Sequence, residues 1–348
     1  MSEPVPAAPS PPATPSCPEA VFRTITPIFK YRLDGATHFT HSGKRRDADF
    51  RIELRPYTVN LKDFGEITRY ATEAVRQMLR DRAIHRSDHF FSDAAHILIV
   101  DVDYAAGIIP DYEGTTEASQ ELLLAALEAL RLHSSSGLTY HETYYFRSNP
   151  SVHGGLGIGA ANVLQGRFSH LPSPSILRAS QLDACRATID TFLSRKWSDK
   201  STFDNVLQLA KEYHRTSFNL EHVTHAFLIL MVVFEALFKK KDEKNAGKAA
   251  QRIGRLLGVT KKGCTAIGRE FFDGAVDSFG TVRNQVAHGD TSLDGRQVSS
   301  KYPGLYRHIS ETIIRLLALP PGEVDNGKDY YDEITRIVNA RFAGLPTK

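Results

Sequence analysis

The sequence predicts an α+β N-terminal domain followed by an all-α helical bundle. Two observations lead there. Between residues 19 and 172, stretches of apolar–polar alternation are interleaved with stretches of helical periodicity. After Ser173 only the helical period remains. The boundaries that follow are a Pro-rich tail (1–18), an α+β domain (19–172), a connecting helix (173–200) and a helical bundle (201–348).

A chain of 348 residues suits two domains with a core in each. With 41% hydrophobic and 24% charged residues, it has the balance of a soluble globular protein. The first 18 residues carry seven prolines and no apolar core for a signal peptide, which predicts a disordered, extended tail. Cys17, Cys185 and Cys264 are widely separated and odd in number. They indicate neither a disulfide framework nor a cysteine metal site, and a reducing cytoplasm is the expected setting. The most apolar run, Ala226 to Phe238, is interrupted by Glu235 and is shorter than the ~18–20 residues that cross a bilayer. No membrane role is expected.

In the first half, Phe22–Leu33 and Ala48–Val59 read as half-buried strands, the second through Phe50, Ile52 and Leu54. Their connection, residues 37–47, carries turn residues and charge. Phe64–Arg80 has helical spacing through Ile67, Ala71, Ala74, Val75 and Met78. His96–Asp103 reads as a short apolar strand, Glu117–Leu132 as a helix and Leu138–Arg147 as strand. Gly155-x-Gly157-x-x-Ala160 formally fits a dinucleotide-binding fingerprint, and Asp183 has the spacing of its acidic partner. Asp183, however, lies within a helical pattern after Pro172 and Pro174, and no Gly-Lys-Ser/Thr follows the glycines, so the stretch reads as a loop. His85 with His89, and His222 with His225, stand at metal-ligand spacing, but neither pair has a carboxylate in a known metal pattern. They read as surface or capping histidines.

In the second half, Ile176–Leu193 has helical spacing and joins the two regions. Ser201 is placed to cap a helix through Phe203, Val206, Leu207, Ala210 and Tyr213, and Asn219 to open the helix Leu220–Phe238. That helix is apolar on almost every side from Ala226, which predicts a position at the centre of the bundle. Ala246–Leu257 ends at Gly258, a C′ position. A motif helix, a polar loop at residues 289–301, a helix Leu305–Leu319 stopped by Pro320-Pro321, and a last helix Tyr330–Phe342 complete the half.

The motif helix, Phe271 to Asp290, buries Phe272, Ala275, Val276, Phe279, Val282 and Val286 as one stripe. Arg283, Asn284 and His288 leave that stripe at its polar edge, with Gly289 following. At about 100° per residue, Asn284 and His288 share a face, whereas Arg283 sits roughly 140° from His288. A cation, an amide and an imidazole therefore gather at one helix end. Upstream, Lys239, Lys240, Lys241, Lys244, Lys248, Arg252, Arg255, Lys261 and Lys262 face only Asp242 and Glu243, a local surplus of seven positive charges. Such a cluster attracts phosphate backbones or forms a solvated helix face.

The Arg283–His288 segment is an R-x4-H motif in its RN-x3-H form. Together with the apolar helix carrying Glu235 and the helical surroundings from Thr202 to Leu319, it resembles the HEPN family, and His288-Gly289 resembles its Apea-like branch. The resemblance implies a HEPN-like bundle in a cytoplasmic, metal-independent endoribonuclease acting in a defence or toxin role. Members of this family are commonly homodimers whose paired motifs form one composite ribonuclease site and leave a cyclic phosphate end. Arg283, Asn284 and His288 would be catalytic and Glu235 supporting. Lys239, Lys240, Lys241, Lys244, Lys248, Arg252 and Arg255 would hold RNA, with no metal or cofactor. Chemically, a histidine exchanges protons near neutral pH, and an arginine offers a fork of donors to phosphate oxygens. A carboxylate such as Glu235 in an apolar helix requires a partner, and Arg283 or Arg252 is the expected one. Two alternatives stand. Arg283 pairs with Glu235, Asp277 or Asp290 while His288 merely caps its helix. Or the bundle is an inactive HEPN module that holds RNA or a nucleotide, or serves as a dimerisation platform.

Overall fold

The computed structural model describes residues 20–29, 31–45, 48–56, 94–104, 112–134, 138–140, 143–147, 175–195, 197, 201–218, 220–244, 246–272, 277–288, 295–319, 324 and 329–347. The Pro-rich tail, the helix expected at Phe64–Arg80, His85 and His89, the glycine stretch Gly155–Ala160, Asn219, Gly289 and Asp290 lie outside the described residues.

The first half holds strands β1 (Ala20–Phe29), β2 (Tyr31–Asp34), β3 (Phe39–Arg45), β4 (Ala48–Pro56) and β5 (Ala94–Tyr104), then helix α1 (Tyr112–His133). Strands β6 (Thr139–Tyr140), β7 (Tyr144–Arg147) and β8 (Ser175–Arg178) and helix α2 (Leu182–Ser194) follow. One sheet runs β3-β4-β5-β1-β6, with β7 also pairing with β1, and every pairing in it is antiparallel. Ala48, Phe50, Ile52 and Leu54 alternate inward along β4, as their spacing predicts. Beneath them lies α1, whose Leu122, Ala126 and Leu130 share a core with Phe39, Leu98 and Val100.

Four elements differ from the sequence reading. The single strand expected at Phe22–Leu33 is divided between β1 of the large sheet and β2, which pairs with β8, and the one expected at Leu138–Arg147 is divided into β6 and β7. The charged connection at 37–47 contains strand β3, with Phe39 and His41 buried between more exposed neighbours. Its apolar pattern is masked because its inward positions include His41 and Gly43. A Cβ at Gly43 would stand 2.9 Å from the Phe50 ring, so the missing side chain is what admits Phe50. The helix expected from Ile176 starts at Leu182 instead. Ser175–Arg178 is a strand, hydrogen-bonded in parallel to β2 from Tyr31↔Ser175 to Asp34↔Arg178. Helix α2 is fastened to β3: His41 Nε2 lies 2.8 Å from Asp190 Oδ1, and Arg186 Nε donates to the Thr40 carbonyl at 2.8 Å.

The second half is helical among the described residues: α3 (Thr202–Phe218), α4 (Val223–Phe238), α5 (Gly247–Leu257), α6 (Lys261–Phe271), α7 (Phe279–Ala287), α8 (Gly295–Leu317) and α9 (Tyr330–Ala343). Ser201 caps α3 as expected, its Oγ accepting from the Asp204 N–H at 3.2 Å. Helix α4 begins at Val223 rather than Leu220.

The motif helix is shorter than its apolar spacing suggests, because Phe271 ends α6 and a new helix starts at Phe279. Asp277 takes a left-handed φ of 58°, which Asp tolerates better than most residues, and Ser278 then caps α7. Helix α8 starts ten residues before Leu305, inside the stretch read as a polar loop, and carries Pro303 within it. Between Gly295 and Lys301 only Val298 is buried, so the first turns of this helix carry too little apolar signal to be told from a polar loop. Gly258 closes α5, but in an extended conformation (φ −64°, ψ 142°) rather than a left-handed one. Its role is room: a Cβ would stand 2.5 Å from both the amide nitrogen and the sulfur of Cys264. No helix among the described residues is long and apolar enough to cross a membrane.

Candidate functional site

Helix α7 is positioned by its first turn. Ser278 Oγ accepts the Thr281 N–H at 3.0 Å. The buried Phe279 ring stands 5.0 Å from Phe271, 6.4 Å from Phe227 on α4 and 6.2 Å from His308 on α8. Val282, three residues on, is also buried. With these two positions turned inward, Arg283 falls at the edge of the contact with α4.

There Arg283 Nη2 lies 3.5 Å from Glu235 Oε1, and Lys239 Nζ lies 3.8 Å from the same oxygen. Arg283 Nη1 donates to Asn284 Oδ1 at 3.0 Å. The Glu235 and Arg283 side chains keep 28% and 36% of their surface, so the pair is neither sealed in the core nor free in solvent. Burial of Glu235 is therefore less complete than an all-round apolar helix implies, while pairing with Arg283 is as expected. Arg252 is committed elsewhere. Asn284 and His288 stand one turn apart as their spacing predicts, the His288 N–H donating to the Asn284 carbonyl at 3.0 Å. His288 is the C-cap residue of α7, and its exposed side chain has no hydrogen-bond or ionic partner among the described residues. The structure thus brings Arg283, Asn284, Glu235 and Lys239 together, with His288 at the helix end just beyond.

The upstream basic cluster divides in two. Arg252 donates to both Glu243 oxygens at 2.8 and 2.6 Å, to the Phe238 carbonyl at 2.6 Å and to Thr335 Oγ1 at 2.9 Å. Its hydrogen bonds hold the Glu243 carboxyl below the usual range. Arg255 bonds Asn339 and lies 4.8 Å from the Phe342 ring, and Lys240 pairs with Asp332 at 3.1 Å. These three contacts fasten α5 and the end of α4 to α9. Lys241, Lys244, Lys248 and Lys262 are exposed and have no ion pair among the described residues, so they are the part of the cluster open to an anionic partner.

One feature of the site is absent from the sequence reading. On α4, Val232 keeps 44% of its surface, and Leu228, Ile229 and Ala236 are only half-buried. At about 100° per residue these positions fall on the same face as Glu235 and Lys239. The signal was present: a helix apolar on every side, in a bundle that covers only part of it, leaves one apolar face open. His222 and His225 stand with ring centroids 5.4 Å apart, and among the described residues no group of three or more His, Cys, Asp or Glu side chains gathers as a metal site would. Compared with protein-family models, with curated proteins and with solved structures, the chain matches none.

Proposed function

We propose that the protein is a metal-independent endoribonuclease with a HEPN-like bundle, cleaving RNA by attack of the ribose 2′-hydroxyl. The observation that carries this reading is the arrangement at α7. Glu235 holds a half-exposed guanidinium from one side, and an imidazole without a partner among the described residues stands exposed at the end of the same nine-residue helix. In the proposed reaction His288 takes the 2′-hydroxyl proton. The 2′-oxygen bonds to phosphorus, the bond from phosphorus to the 5′-oxygen breaks, and the leaving oxygen is protonated by a second histidine or by water. The products are a 2′,3′-cyclic phosphate and a 5′-hydroxyl. Arg283 stabilises the charge that builds on the non-bridging oxygens, and Asn284 orients Arg283. Lys241, Lys244 and Lys248 attract the backbone.

The proposed assembly is a homodimer through the uncovered face of α4, bringing two copies of Arg283 and His288 to one two-fold axis. An exposed apolar face beside a site with one histidine supports it. The test incubates the purified protein with RNA, with and without a chelator, beside a substrate 2′-deoxygenated at the scissile position. Cleavage that survives the chelator and fails on the deoxy substrate is the expected result. Equal cleavage of both substrates would refute the mechanism. Retention of RNA without cutting would favour a binding-only module.

A further inference from the structure

The seam between α1 and α3 opens into a cavity of about 410 Å³, within the range of small-molecule sites. Helix α1 supplies Glu128 and Arg131, helix α3 supplies Lys211 and Arg215, and the end of α2 with its exit supplies Phe192, Arg195 and Trp197. Cations outnumber carboxylates in the lining by five to three. Arg45 pairs with Glu121, Arg131 with Glu128 and Arg195 with Asp204, so Lys211 and Arg215 are the surplus that favours an anion. None of these residues belongs to the Arg283 site.

Several of these groups are bound less than their burial requires. Arg195 is satisfied, donating to Asp204 Oδ1 from Nε at 3.1 Å and from Nη2 at 2.6 Å. Lys211 is not: among the described residues it has no ion pair, and its ammonium stands 4.4 Å from the Phe192 ring and 4.7 Å from that of Trp197. Burial pulls its pKa down, against the opposing charge of Glu128. Arg131 is buried and donates from Nη1 to Glu128 Oε2 at 3.1 Å. Its Nε and the other Glu128 oxygen have no hydrogen-bond partner among the described residues. Native interiors rarely leave such a donor or acceptor unused. An ammonium with no ion pair among the described residues, a spare guanidinium N–H and two aromatic walls together suit an anion with an apolar body.

We propose that this cavity binds a small organic phosphate with an aromatic body, its oxygens held by Lys211, Arg131 and Arg215 and its body lying along Phe192 and Trp197. A mononucleotide has this chemistry, as does the phosphorylated end of a nucleic acid strand. Because α1 belongs to the sheet half and α3 to the bundle, a bound ligand ties the two halves together and stabilises both.

Trp197 is the only tryptophan of the chain, so its emission reports this cavity directly. The full-length protein is titrated with adenosine monophosphate, inorganic phosphate, adenosine and a 5′-phosphorylated trinucleotide, following Trp197 emission and thermal midpoint. Adenosine monophosphate should change the emission saturably and raise the midpoint, more strongly than inorganic phosphate and far more strongly than adenosine. Tighter binding of the trinucleotide would assign the phosphate to a strand end, and tighter binding of the mononucleotide to a free ligand. Both uphold the site. Lys211→Met, which keeps the apolar stem, should weaken binding at least roughly tenfold, the loss of one charge-assisted contact. Arg215→Gln, at a half-buried position, gives the same reading if the lysine variant does not fold. No saturable change at millimolar phosphate ester would overturn the proposal. So would equal responses to adenosine and its monophosphate, equal affinity for the ester and inorganic phosphate, or unchanged binding in a folded variant.

Discussion

Arg283 and Glu235 meet at 3.5 Å across the contact of α7 with α4, and the carboxylate oxygen that faces Arg283 also faces Lys239. One carboxylate between two cations leaves a net positive edge on the bundle. That edge lies beside the exposed His288 end of α7.

His288→Ala and Arg283→Ala should each abolish most RNA cleavage while leaving the fold intact, because neither side chain is buried. Loss of a general base typically costs ~10²–10⁴ in rate, and loss of a transition-state charge contact about 10²–10³. Single-turnover cleavage assays beside circular dichroism check this. A His288→Ala protein that cuts at the parent rate would remove His288 from the mechanism.

Glu235→Gln should change stability by less than about 1 kcal/mol, since a half-exposed pair is screened by solvent and salt. It should nevertheless slow cleavage by releasing the Arg283 guanidinium from its position. Urea unfolding and cleavage rates measured on the same preparation separate the two effects. Rates unchanged in the variant would show that Glu235 does not position Arg283.

Val232→Glu should convert the proposed dimer to monomer and reduce cleavage with it, because the substitution puts a charge at the middle of the open face of α4. Sedimentation of the whole chain at micromolar concentration is the measurement. A parent protein that is already a monomer there, yet cleaves RNA, would exclude a composite site.

Acidification should destabilise the protein before its carboxylates titrate. Burial pushes His214 down to about 3 and His133 down to about 4, each hydrogen-bonded to a hydroxyl, Ser310 and Thr188 respectively. In the unfolded chain the same side chains take up protons near pH ~6.5. The unfolded state therefore binds more protons as pH falls from about 6.5 toward these values, and stability is lost through that window and fully present above it. Urea midpoints should fall between pH 7 and pH 4.5, and His133→Gln should flatten the slope. A flat profile over that range would contradict the assignment.

Sequence and structure agree where one residue type at one spacing admits one reading. The alternation of Phe50, Ile52 and Leu54, the cap at Ser201 and the one-turn spacing of Asn284 and His288 are of this kind. Disagreement arises where a tertiary neighbour decides. Strand β3 is hidden because its inward His41 is completed by Asp190, far along the chain. Gly258 resembles a helix terminator, yet it is the approach of Cys264 that excludes a side chain there. Arg252 and Lys248 look alike in a basic run, and only the position of Glu243 and Thr335 separates a structural arginine from an exposed lysine. The apolar residues before Asp277 continued the helical period, so only the turn at Asp277 and Ser278 marks where α7 begins.

Helix α1 has one further consequence. Leu122, Ala126 and Leu130 lie in the core beneath the sheet, whereas Leu132 lies in the bundle core, and the Arg131 carbonyl accepts from Tyr306 on α8 at 3.4 Å. Phe192 packs against both cores. Thermal melting should accordingly proceed as one cooperative transition rather than two, with amides at the end of α1 exchanging only through global opening. A fragment starting at Ser201 would lose the Leu132 and Phe192 contacts, so excision of the bundle at that boundary would cut through a single folding unit.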